Sequence, residues 1–166
     1  MRLRPYIPAQ DFDVLRTWIT DPRTHAMWCA NLMPFPLERR GFEQTLAAFA
    51  LKYGDTPFVA TANDGKVIGF FSYCLNLELN SGKLKFVVVS PEYRGRGCGR
   101  EMLALAARYA FEITGADSVR LSVFAENTAA LRCYQRAGFV EQRRDEGAFA
   151  CQGECWTRCE MVLRKE

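Results

Sequence analysis

The sequence contains no apolar run approaching the ~20 residues that a membrane-spanning helix needs. Its opening stretch, MRLRPYIPAQ, lacks the apolar core of a secretory signal. A cytoplasmic location without a membrane partner is therefore the expectation. Net charge is only +3, too mild to call for a nucleic acid. Histidine is almost absent, with His25 the single example. Seven cysteines are present, but none forms a CxxC pair. Cys151, Cys155 and Cys159 are evenly spaced without the short gaps of a zinc ladder. Reduced thiols in a reducing compartment account for them, and no metal is expected. Two phosphate-binding signatures are also missing, GxxxxGK[ST] and GxGxxG, which excludes a P-loop or an ordinary dinucleotide fold. No repeat, low-complexity tract or linker divides the chain. What remains is 166 residues, 49% hydrophobic and 25% charged. That composition fits one globular domain over residues 1–166 with a sizeable core.

Periodicity organises this domain. Leu3 to Ile7 reads as a short strand. After Pro8, residues Phe12, Leu15, Trp18 and Ile19 fall on one helical face. Residues 20–36 carry three prolines among mixed aromatics and read as a long loop. A second helix is expected from Leu37 to Tyr53, with Phe42, Leu46, Phe49 and Ala50 inward and Gly54 as its stop. PFVATA and KVIGFFSYCLNLEL flank Asn63-Asp64-Gly65, a hairpin signal. LKFVVVS is uniformly apolar at its centre, as a strand buried on both faces would be. A helix follows, with Met102, Leu105, Ala106, Tyr109, Ala110 and Ile113 in register. SVRLSVFA alternates as a strand. Asn127 then opens a helix that Gly138 closes. Two strands complete the order β-α-α-β-β-β-α-β-α-β-β, a mixed α/β domain.

The stretch Arg94-Gly95-Arg96-Gly97-Cys98-Gly99 joins a strand to a helix. A helix start presents orphan N–H groups and about half a positive charge, which together suit an anion. Glycines let oxygen atoms approach the main chain, and Arg94, Arg96 and Arg100 add long-range attraction. The loop therefore suits a diphosphate, and an ordinary glycine-rich turn is the alternative reading of the same residues.

A second motif accompanies it: Asn127, Ala130, Tyr134, Gly138 and Phe139, in the pattern N-x-x-A-x-x-x-Y-x-x-x-G-F. With Arg94-x-x-Gly97-x-Gly99, this resembles the GNAT superfamily of N-acetyltransferases. The resemblance implies a mostly antiparallel sheet of about six or seven strands with one splayed parallel pair, flanked by about four helices. It implies acetyl-CoA as cosubstrate and transfer of its acetyl group to a primary amine by direct attack in a ternary complex, without metal. The pantetheine arm would lie against the backbone of Val87 and Val89, with the Val87 N–H polarising the thioester carbonyl. Arg94, Gly95, Arg96, Gly97, Cys98, Gly99 and Arg100 would hold the diphosphate. Asn127 would contact the pantetheine or cap its helix, and Tyr134 would protonate the departing thiolate. Relatives carry a glutamate early in the central strand, where Lys83 and Lys85 stand here. Glu78, acting through water, is then the candidate base, with His25 a second. Trp28, Phe35, Tyr73 and Glu78 are the expected acceptor-binding residues, joined by Met33, Phe149 and Trp156 as an apolar wall. The acceptor is a small-molecule or peptide amine, and a homodimer is a family-level expectation. The missing glutamate keeps open a second reading, a non-catalytic acyl-CoA-binding regulatory module.

Overall fold

The computed structural model describes residues 1–165. Seven strands form one sheet: β1 (Arg2–Pro5), β2 (Thr56–Thr61), β3 (Val67–Asn76), β4 (Ser81–Val89), β5 (Ser118–Phe124), β6 (Val140–Cys151) and β7 (Glu154–Arg164). Their order across the sheet is β1-β2-β3-β4-β5-β7-β6. Every neighbouring pair is antiparallel except β4–β5. That pair needs a crossover, supplied by helix α4 (Cys98–Arg108) and the π turn Tyr109–Ile113. Helices α1 (Pro8–Leu15), α2 (Pro22–Cys29) and α3 (Arg39–Tyr53) precede the hairpins, and α5 (Thr128–Arg136) links β5 to β6. The mixed sheet with one parallel pair agrees with the expectation from sequence.

Two apolar layers sandwich the sheet. On one face, Leu84, Val119, Leu121 and Met161 pack with Met102, Leu103 and Ala106 of α4 and Tyr134 of α5. On the other, Val59, Phe70 and Val88 pack with Phe12, Leu15, Phe42 and Leu46 of α1 and α3. Burying each large side chain contributes on the order of 1.5–3 kcal/mol. The Asp64-Gly65 hairpin forms as expected, with Gly65 at φ 87°.

Four local expectations change, the smallest being Ala50 of α3, which is exposed rather than inward. The first strand runs Arg2–Pro5; Tyr6 still donates its N–H to Pro57 O at 3.0 Å, but Pro57 has no N–H to return and the ladder ends there. The long loop 20–36 contains α2, so there are five α-helices. Pro22 occupies its first turn, where a missing N–H costs nothing, and Asp21 caps it by accepting from Thr24 N at 2.9 Å. Ile113 lies 72% exposed rather than inward. The π turn after Arg108 shifts the helical register by one residue per turn.

Candidate functional site

Strands β4 and β5 pair only at Ser81↔Ser118, Gly82↔Val119 and Lys83↔Arg120. Beyond Lys83 they part, and the gap opens toward their C-terminal ends. Within β4 the register slips. Lys85 pairs Ser72 and Val88 pairs Phe70, so Phe86 and Val87 together oppose one residue of β3. This is a β-bulge, and Phe86 sits at φ 54°. A bulky residue in that region costs roughly 1–2 kcal/mol, a strain that clusters at functional sites. The bulge swaps faces. Phe86 and Val88 join the α1–α3 layer, while Val87 and Val89 pack against the α4 layer.

It also fixes which way the amides point. Ser90 donates its N–H to Ile68 O of β3 at 2.9 Å. N–H groups alternate along a strand, so Val88 faces β3 as well, and the N–H groups of Val87 and Val89 face the gap. An edge without a strand partner there needs donors and acceptors from elsewhere. The Val89 carbonyl already accepts from Arg94 Nε at 3.0 Å.

The glycine loop follows directly. Gly95 (φ 73°) and Gly97 (φ 83°) hold left-handed backbone, and a Cβ at either would meet nothing within 4 Å. Open space therefore lies beside the main chain at the start of α4. Gly99 is glycine for a different reason: its Cβ would stand 2.9 Å from Cys133 Sγ of α5. Close α4–α5 packing, not ligand access, excludes a side chain there. Between these helices lies an open cleft of about 530 Å³, lined by Arg96, Gly97, Arg100, Glu101, Ala104, Arg136 and Ala137. Among the described residues its three arginines form no ion pair. Arg136 was not legible from sequence, since an arginine in a helix's last turn is already favoured by the dipole.

Asn127 caps α5 through its side chain, accepting from Ala130 N at 3.3 Å. Two turns on, Tyr134 is 7% exposed, its ring edge-to-face with Phe139 at 6.1 Å. Its hydroxyl bonds to no described residue, nor is it among the sealed unpartnered atoms. Burial, assisted by neighbouring Cys133, pushes the phenol well above its ordinary value. Tyr134 therefore stays protonated at neutral pH and can donate but not act as a base.

The acceptor residues divide. Trp28 stacks on Phe42 (6.3 Å, 16°) and approaches Phe86 of the bulge at 6.0 Å, its Nε1 sealed without a partner. Phe35 lies 5.2 Å from the His25 ring. His25 itself is buried, between Asn31 Oδ1 at 3.3 Å and Cys29 Sγ at 3.4 Å. It is a packing residue of α2 rather than a solvated loop histidine. Helix α2 bridges the gap's two sides. Ala26 packs with Phe124 and Trp156, and Arg23 pairs Glu154 at 2.8 Å.

Two expected residues are not brought to this place. Tyr73 points into the α4 layer, where its hydroxyl meets Thr114 Oγ1 at 2.6 Å and its ring leaves no room for a Cβ on Gly82. Glu78 lies exposed in the β3–β4 turn, at the closed end of the gap. From Ser81, where the turn ends, six strand steps lead to Val87, so Glu78 stands on the order of 20 Å away. Tyr73 is a core residue and Glu78 is too distant to serve as base. The cation expected near the central strand is also occupied: Lys85 Nζ bonds buried Asp55 at 2.6 Å and lies 4.2 Å from the Tyr53 ring centre.

The family model described as "Acetyltransferase (GNAT) family" matches residues 14–139. The chain belongs to the GNAT acetyltransferase family. Among curated relatives, this GNAT chain is 38% identical over 78 residues to a mycothiol acetyltransferase of Gordonia bronchialis, covering 47% of this chain and 25% of that protein. It is 34% identical over 56 residues to the spermidine N(1)-acetyltransferase of Vibrio cholerae, covering 34% and 32%. The chain thus spans about a quarter to a third of the length of these relatives. A crystal structure of spermidine N-acetyltransferase from Vibrio cholerae in complex with CoA and spermine superposes with a TM-score of 0.83 at 20% identity, over 98% of this chain and 94% of that one. That likeness establishes the shared GNAT fold.

Proposed function

We propose that residues 1–166 act as one N-acetyltransferase domain, transferring acetyl from acetyl-CoA to a primary amine. The observation that carries this reading is the gap between β4 and β5, onto which unpaired N–H groups of Val87 and Val89 open beside the glycine loop. The residues fit the coenzyme. Gly95 and Gly97 leave open space at the start of α4, and Arg96, Arg100 and Arg136 offer uncompensated positive charge to phosphates. No metal is needed to hold such a group.

Bound there, acetyl-CoA supplies an activated acyl group, whose transfer makes a C–N bond, breaks the C–S bond and leaves a thiolate to be protonated. Val87 N–H donates to the oxygen that gathers negative charge; a fixed backbone donor of this kind contributes about 10²–10³ in rate. Val89 N–H anchors the arm one repeat along the strand. Tyr134, kept neutral by burial, gives its proton to the leaving sulfur. Trp28, Phe35 and Phe86 exclude water on the opposite side, where the amine approaches. With Glu78 remote, the acceptor reacts as the fraction already deprotonated in bulk water; the proton that nitrogen sheds on forming the amide passes to water, which returns one to Tyr134 after it has protonated the thiolate.

A thermal-shift panel of acetyl-CoA, CoA, NAD and ATP tests binding, followed by thiol release with an amine library. Ligand at a hundred times its Kd should add about 2.7 kcal/mol of stability. Stabilisation by NAD or ATP but not by acetyl-CoA overturns the reading. Tight binding without transfer to any amine instead supports a non-catalytic acyl-CoA-binding module.

A further inference from the structure

Helices α1 to α3 cover one face of the sheet over β1 to β4, and α2 reaches Phe124 of β5 and Trp156 of β7, while the rest of that face over β5, β7 and β6 is uncovered by helix. Most side chains there are polar, Arg120 and Ser122 on β5, Arg158 and Glu160 on β7, Arg143 and Asp145 on β6, with Val162 and Val140 beside Arg120. Ser118 Oγ meets Ser81 Oγ at 3.2 Å, which shows that these two positions share a face. Two residues on, Lys83 and Arg120 are partners across the parallel ladder and point to that same face. They stand at the closed end of the gap, on the side opposite α4 and the glycine loop.

Two like charges directly opposite one another are destabilising, and here nothing offsets them. The nearby carboxylates are already engaged: Glu160 by Ser122 at 2.7 Å, Asp145 by Arg143 at 2.8 Å and Arg158 at 3.0 Å, Asp55 by Lys85 at 2.6 Å. Among the described residues neither Lys83 nor Arg120 forms an ion pair. Arg120 has one side-chain contact, Gln142 Oε1 at 3.1 Å, while its Nε is sealed from solvent without an acceptor. Arg164, opposite Ser118 and exposed, adds a third cation on this face.

We propose that the acceptor amine carries an anionic group, carboxylate or phosphate, held by Lys83 and Arg120. This rests on the acyltransferase reading above and names the substrate class of that site. Val87 lies four residues beyond Lys83, but Phe86 and Val87 share one ladder step at the bulge, so the advance along β4 is about 10 Å. The Lys83 side chain bridges part of that length, so amine and anion are separated by roughly 7–10 Å. An ω-amino acid with a chain of about six carbons spans it. A polyamine does not suit this floor, because its distal ammonium meets Lys83 and Arg120.

Four probes of matched length test the inference: 6-aminohexanoate, 6-aminohexyl phosphate, hexylamine and 1,6-diaminohexane, each assayed by thiol release from acetyl-CoA. Wild type should favour one or both acid-tailed probes over hexylamine by roughly tenfold to a hundredfold in kcat/KM, the value of one charged hydrogen bond. Which of the two leads distinguishes carboxylate from phosphate. Lys83 is exposed, so Lys83→Ala should remove that preference without lowering turnover of hexylamine or the thermal shift given by acetyl-CoA. Arg120→Lys, which keeps the charge, should retain part of it, and Lys83→Glu should turn the preference toward 1,6-diaminohexane. Transfer to hexylamine with no advantage for either acid overturns this inference alone. An advantage that survives Lys83→Ala and Lys83→Glu does the same. No transfer to any of the four probes overturns this inference, and the acyltransferase reading falls with it only if the wider amine library also gives no transfer.

Discussion

Gly97 and Gly99 sit two residues apart at the start of α4, yet the structure requires glycine at each for separate reasons, and a double-mutant cycle separates them. At Gly99 a new Cβ would lie 2.9 Å from Cys133 Sγ, closer than such contacts occur. Overpacking of this kind costs about 1–3 kcal/mol. Alanine's better helix propensity returns about 0.5–1 kcal/mol. Gly99→Ala should therefore destabilise by about 0.5–2 kcal/mol in urea unfolding. In a Cys133→Ala background the obstructing sulfur is gone, so only the propensity gain remains. Gly99→Ala should then stabilise by about 0.5–1 kcal/mol. The coupling between the two changes is about 1–3 kcal/mol. Gly97 behaves differently. Its φ of 83° strains any L side chain, and open space surrounds it. Gly97→Ala should cost about 1–2 kcal/mol, the same with Cys133 present or absent. Additive effects of Gly99→Ala and Cys133→Ala would refute the packing argument. Coupling of Gly97→Ala to Cys133→Ala would refute the assignment of its cost to backbone strain.

Further expectations follow from the same geometry. Tyr134→Phe should lower kcat by about 10²–10⁴ while leaving the acetyl-CoA thermal shift in place; unchanged turnover removes the tyrosine's role as acid. Burial raises the folded-state pKa of Tyr134 above its ordinary value near 10. The corresponding stability is fully present below pH ~10 and is lost as pH climbs beyond it. Urea titrations between pH 9 and about 11.5 should therefore show a shallower decline for Tyr134→Phe than for wild type. Lys85→Met strands the Asp55 carboxylate in the core and should cost about 3–5 kcal/mol in urea unfolding, much less when combined with Asp55→Leu. Asp21→Ala removes the cap of α2 and should cost about 1 kcal/mol, read by the same method.

Features set by local chemistry were readable from the chain. Asp64-Gly65 can serve a hairpin and little else, and Asn127 with Gly138 marks a helix at both ends. The glycine loop and the Tyr134 motif were legible because each demands particular residue types at fixed spacing. The bulge at Phe86 was not, since Phe86, Val87, Val88 and Val89 are all apolar and a one-residue slip changes no visible pattern. Helix α2 was hidden by its prolines. Pro22 counts against a helix by propensity but is neutral at the first turn. Tyr73 and Glu78 failed as site residues because distance along a strand, and the face a residue occupies, depend on register that the hairpin sequence leaves open. The charge conflict of Lys83 with Arg120 involves residues far apart in the chain and emerges only once the parallel pair forms.

Strand β7 lies between β5 and β6 although it follows both in the chain. While a ribosome is still extruding β7, β5 has its short ladder to β4 on one edge and nothing on the other. Arg23 of α2, emerging early, waits for Glu154. The contacts of α2 with Trp156 and Glu154 are therefore completed only by this late insertion, and a polypeptide missing β7 lacks them.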